Sequence, residues 1–165
     1  MKPPVQLADL TTLGLFSLYA GVLDELRARG VTRSANNPVA DYAENLVAQA
    51  LDLELAPKST RGHDAVGRDG VRYEIKSRRI TSHNGSRQLS AIRGLDEQHF
   101  DFLVGVLFRE DFSVQRACVV PYEVVVNRST YRKHPNAWVL HLRDEIWNAV
   151  GVTDITEDVS RVQAR

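Results

Sequence analysis

The chain has 165 residues, 43% of them hydrophobic and 25% charged, which fits one globular domain and excludes a disordered or collagen-like polymer. Its 21 Lys and Arg balance 21 Asp and Glu, so total charge does not mark a basic nucleic-acid binder, and a single cysteine excludes an internal disulfide. The distribution is uneven: residues 1–57 carry four basic and seven acidic groups, 58–93 nine and three, and 94–165 eight and eleven, or net −3, +6 and −3. Such a local excess is either a polyanion-binding surface or a solvated face balanced by acidic neighbours. Cys118, in the apolar run 117–120, reads as core filler in a reducing compartment, so a cytoplasmic protein is expected. The longest uncharged apolar stretch, residues 10–23, is shorter than the roughly 20 residues that span a bilayer. Asp9 and the missing small-residue cleavage site argue against a secretory signal.

Over residues 6–29 the apolar side chains Leu7, Leu10, Phe16, Tyr19, Val22, Leu23 and Leu26 recur at threes and fours, and Gly30 closes a predicted first helix. After a loop over 31–36, Asn37 is a good N-cap with Pro38 at the first helical position. Val39, Tyr42, Ala43, Leu46, Val47, Ala50 and Leu51 then form one stripe, so a second helix is predicted to about residue 53. Both helices are expected to pack on one side.

The period then drops to two over 64–66 and 71–77, the signature of a β-hairpin. Residues 87–92 read as a short strand, 102–108 and 116–120 as buried strands, and 138–142 as another. Pro121 opens a short helix through Val126, residues 143–150 form a last one, and residues 151–165 read as a polar tail. One domain is expected over 1–165, with the N-terminal helix in 1–35 and the core in 36–150. Its fold class is α/β, a mixed central sheet flanked by helices.

Residues 61–79 read RGHDAVGRDGVRYEIKSRR, with Asp64 ten residues before Glu74 and Lys76 two further on. Glu74 and Lys76 share a strand face, roughly 6–7 Å apart along the chain. A two-residue Asp69-Gly70 turn would pair Asp64 with Ile75 and bury its carboxylate. A three-residue loop of Arg68, Asp69 and left-handed Gly70 instead pairs Val71 with Gly67 and Glu74 with Asp64. The second register is expected, because it buries Val71, Tyr73 and Ile75 without burying a lone carboxylate. Two carboxylates then converge from neighbouring strands, with an ammonium beside them, on the polar face of the hairpin. This set suits Mg²⁺, with Mn²⁺ able to substitute, and phosphodiester hydrolysis. The bland alternative is a surface ion-pair ladder.

Asp64, nine intervening residues, then Glu74-Ile75-Lys76 resembles the PD-(D/E)XK nuclease superfamily, over about residues 35–150. The resemblance implies a restriction-endonuclease-like core in which Asp64 and Glu74 bind Mg²⁺ and Lys76 assists the attacking water. The family's proline before the aspartate is His63 here. The family often adds an acid from the preceding helix, which Glu44 supplies at the border of its stripe. Arg72, Arg78, Arg79, Arg87 and Arg93 cluster as a phosphate backbone would require, with Ser77 and Gln88 as further contacts. His63, His83, His99, His134 and His141 lack metal-ligand spacing, which argues against zinc.

The expected function is a Mg²⁺-dependent DNA endonuclease of restriction or repair type, acting on duplex DNA as a homodimer with the first helix at the interface. The alternative is a catalytically inactive nuclease-fold subunit that binds DNA or helps assemble a defence system.

Overall fold

The computed structural model describes residues 5–35 and 37–165, so Asn36 of the predicted loop lies outside them. A short 3₁₀ turn at Leu7–Asp9 precedes the first helix, α1 (Thr12–Ala28). The Thr11 side chain caps it, its hydroxyl accepting from the Gly14 N–H at 3.1 Å. The expectation that α1 packs on one side is corrected: none of its residues is buried. Leu13 is 76% and Phe16 67% exposed. The apolar spacing marks a surface suited to burial, but among the described residues none of the helix is buried.

The second helix, α2 (Pro38–Leu51), begins where expected, with Asn37 accepting from the Val39 N–H at 3.1 Å and Pro38 in the first turn. It buries Ala43, Leu46, Val47 and Ala48. There follow β1 (Glu54–Leu55), β2 (Ala65–Val66), β3 (Arg72–Arg79), β4 (Phe102–Phe108) and β5 (Val114–Pro121). Then come α3 (Tyr122–Arg128), β6 (Thr130–Arg132), β7 (Ala137–Val139), a 3₁₀ helix (Asp144–Asn148), β8 (Thr153–Asp154) and α4 (Thr156–Gln163).

The main sheet runs β1-β2-β3-β4-β5-β8. Only β3 and β4 are parallel, from Tyr73 opposite Phe102 to Arg79 opposite Phe108, and the other pairings are antiparallel. The fold is therefore α/β with a mixed sheet. Alternation along β4 and β5 divides the core. Val104, Val106, Phe108 and Ala117 pack with α2 and α4, whereas Leu103, Leu107, Cys118 and Val120 pack with Val125, Leu140 and Ile146.

Three expectations change. The strand predicted over 87–92 makes only isolated bridges, Gln88 with His141 and Ile92 with Trp138, because the chain curls to bury Leu89 and Ile92. The helix predicted over 143–150 is a 3₁₀ helix. The polar tail is not a tail: residues 153–163 hold β8 and α4, with Ile155 and Val159 buried against the first core. Ile155 at the N-cap, with Val159 and Val162 in the helix, anchors α4 to that core.

Candidate active site

The hairpin takes the expected register. Gly70 has φ +82°, a left-handed conformation that glycine adopts freely, and closes a loop of Arg68, Asp69 and Gly70. The Gly67 N–H donates to the Val71 carbonyl at 2.9 Å. Ala65 stands opposite Tyr73 and Val66 opposite Arg72, and the ladder ends there, with Asp64 just outside it. The Asp64 N–H donates to the Tyr73 carbonyl at 2.8 Å, and its Oδ2 accepts from the Ile75 N–H at 2.7 Å. The Lys76 ammonium is ion-paired with Glu74.

The expected solvated polar face is instead enclosed. β3 lies between β2 and β4, so both of its edges are paired, and Glu74 is 9% exposed. That enclosure sets the electrostatics. Burial, and then the negative charge of Glu74, push the Asp64 carboxyl up, against the pull of Lys76, the Ile75 N–H and Arg33. Burial also pushes Glu44 up, and Asp64 adds to the rise, while a hydrogen bond from Arg33 opposes it. The three acids thus share one field.

Glu44 reaches this field from α2, as expected, but it is occupied. Arg33 donates from Nη2 to Glu44 Oε2 at 2.5 Å and from Nη1 to the Ala56 carbonyl at 2.8 Å. Asp41 holds the loop that carries Arg33. Its Oδ2 accepts from the Arg33 N–H at 2.8 Å and from the Ser34 N–H and hydroxyl at 2.8 and 2.9 Å. Its Oδ1 accepts from Lys58 Nζ at 2.5 Å. Burial works to raise the Asp41 carboxyl, but the bonds from Lys58, Arg33 and Ser34 outweigh it and hold the group below its usual value.

Glu44, Asp64, Arg33, Lys58 and His63 line a pocket of about 120 Å³, room for roughly four waters at liquid density. Among the described residues no three acidic or histidine side chains stand ready as a metal cage, because Glu44 and Glu74 are turned to Arg33 and Lys76. The donor chemistry nevertheless fits Mg²⁺. The donors are carboxylate oxygens, and the pocket has room for a partly hydrated ion. Arg33, Lys58 and His63 were not singled out for the pocket by the sequence. Arg33 and Lys58 carry no local pattern, and only the adjacency of His63 to Asp64 pointed there.

The basic residues are spread more widely. Arg72 donates to Asp101 from its backbone, Nε and Nη2 at 2.8, 3.2 and 3.0 Å. The Ser77 hydroxyl donates to the Val39 carbonyl at 3.3 Å and so faces α2, away from the acids. Arg78 Nε is buried without a partner among the described residues. Arg79 donates to the Glu110 carbonyl and lies 4.3 Å over the Phe112 ring. Arg87 pairs with Asp144 at 2.6 Å, and Gln88 bridges to His141. Arg93 is exposed and carries no partner among the described residues. Compared with known protein families and with curated proteins, the chain matches none.

Proposed function

We propose that the protein is a Mg²⁺-dependent DNA endonuclease of the PD-(D/E)XK type, with Mn²⁺ able to substitute. The observation that carries the reading is the Asp64 carboxylate held on the Ile75 N–H, next to Glu74 on the same strand, with Lys76 paired to Glu74 and Glu44 lining one pocket with Asp64. A bound divalent ion would shield the scissile phosphate and acidify a water. Asp64, Glu74 and Glu44 would hold that ion. Lys76, once its partner acid turns to the metal, has an ammonium free to orient the water or to neutralise charge that builds on the phosphate. The basic segment, with Arg72, Ser77, Arg78, Arg79, Arg87 and Gln88, is proposed to meet the backbone of duplex DNA.

Plasmid incubated with the protein is expected to be cut with Mg²⁺ and left intact with EDTA. Lys76→Ala should lower single-turnover cleavage by about 10²- to 10⁴-fold, the span of a positioned proton-transfer group, while DNA affinity in EDTA persists. Cleavage by Lys76→Ala at the parental rate would overturn this mechanism. A second reading, a non-cleaving DNA-binding or assembly subunit, is favoured by one observation: Arg33 already neutralises Glu44. DNA binding without cleavage in either metal would select it.

No helix among the described residues is long and apolar enough to cross a membrane. A cytoplasmic setting is proposed with the enzyme, since Cys118 is buried and its thiol is pushed up to about 12 by burial, leaving it inert.

A further inference from the structure

A larger cleft of about 880 Å³ is lined by residues that include Arg61, Arg93, Asp96, Tyr131, Asn136 and Trp138. One wall is aromatic. Tyr131 and Trp138 meet edge to face with centroids 5.5 Å apart, and Tyr131 is 50% exposed. The other groups are polar and have capacity to spare. The Tyr131 hydroxyl donates to Asn136 Oδ1 at 2.6 Å, which leaves the Asn136 amide N–H₂ free to donate. Asp96 and Arg93 have no partner among the described residues, while Glu97 is taken up by Arg61 at 2.9 Å and His99 at 2.8 Å.

The cleft is fixed relative to the acids. Gly62 has φ +87°, and a Cβ there would lie 2.2 Å from the Cβ of His99, so the chain at Gly62 is pressed against His99 as no other residue would allow. Arg61 on one side of this glycine lines the cleft, and His63 on the other side lines the small pocket with Asp64. Three residues of chain reach at most about 11 Å, within range of a nucleotide next to one whose phosphate lies at the acids.

The geometry points to a binding site for an unpaired nucleobase of the substrate strand, an inference that rests on the nuclease reading. The aromatic wall offers a stacking surface to any base. Asp96 accepts from exocyclic amines and Asn136 donates to ring or carbonyl acceptors, the two kinds of group on a base edge. Arg93, without a partner among the described residues, supplies positive charge for an adjacent phosphate. A base inside a duplex must first be unpaired and unstacked to enter, a cost that is least for a base already single-stranded. The substrate class is therefore DNA with a single-stranded or splayed segment beside the scissile phosphate.

The test compares three labelled DNAs by fluorescence anisotropy, with the full chain in EDTA: a blunt duplex, the same duplex with a single-stranded tail, and the tailed duplex with abasic sites in the tail. The tail is expected to tighten binding about tenfold, the lower part of the range for one stacked base, and the abasic tail to lose that gain. Tyr131→Ala and Arg93→Ala, at exposed positions that leave the fold intact by circular dichroism, should each reduce the preference. Equal affinity for all three DNAs, or a preference that survives Tyr131→Ala, overturns the base site. Equal cleavage rates on the blunt and tailed duplexes, both abolished by Asp64→Asn, would overturn it while the nuclease reading stands. Tail preference without metal-dependent cleavage would overturn the nuclease reading and leave the cleft as a base-binding site.

Discussion

The guanidinium of Arg33 stands 2.5 Å from the carboxylate of Glu44, so one acid of the pocket has an internal cation where the proposed enzyme would place a metal. The pair is mostly enclosed, with side chains 29% and 13% exposed. Replacing Arg33 by Met should cost about 1.5–3 kcal/mol in metal-free buffer, the range for hydrogen bonds to charged groups, read by urea denaturation. Mg²⁺ should then bind more tightly than to the parent, because the competing cation is gone. Unchanged Mg²⁺ affinity in calorimetry would remove Glu44 from the ligand set.

Asp64 makes an opposite prediction. Its folded-state carboxyl is raised by burial and by Glu74, so its charged form is disfavoured and the protein loses stability as pH rises through that raised value. Asp64→Asn keeps an oxygen for the Ile75 N–H and removes the charge. In metal-free buffer at neutral pH it should be about 0.5–2 kcal/mol more stable than the parent, while losing cleavage and the stabilisation by Mg²⁺. A melting curve showing Asp64→Asn less stable would mean that the charge is well paired within the fold.

Asp41 reverses the sign. Its folded carboxyl lies below the usual 3.8, so its contribution is present above that value and is lost as pH falls through the lower folded one. Asp41→Asn should be about 1–3 kcal/mol less stable at neutral pH, with the gap narrowing below pH 3.8. An equal difference in melting temperature at neutral and acidic pH would show that shape, not charge, makes the loop clip.

The homodimer proposed with the nuclease reading should use the exposed apolar residues of α1. Sedimentation at micromolar concentration is expected to give a dimer, and Leu13→Asp with Phe16→Asp a monomer of unchanged circular dichroism. These side chains are 76% and 67% exposed, so the changes leave the core alone. A monomeric parent would remove the dimer and favour nicking of one strand at a time.

The hairpin was legible because turn chemistry and alternation act within a few residues: Gly70 selects the loop, and the loop fixes Val66 opposite Arg72 and Ala65 opposite Tyr73. α2 was equally plain from Asn37, Pro38 and its stripe. The enclosure of Glu74 was not, since β3 becomes an inner strand only when β4 pairs along its edge, a contact the sequence does not announce locally. Arg33 was hidden for the same reason. Its place depends on Asp41 and Ala56, reached only when the loop folds back. In α4 the periodic signal was present in Ile155 and Val159, but polar residues outnumber them.

The parallel pairing of β3 with β4 also divides the assembly of the site in time. Asp64 and Glu74 come together across a tight turn, a closure of low sequence separation and small entropic cost. The β3–β4 ladder must first close the whole of residues 80–101, which contain no α-helix to shorten the search. Contacts of that separation slow folding. The acid pair is therefore expected to find its register early, and its burial to come late, when the crossover delivers β4.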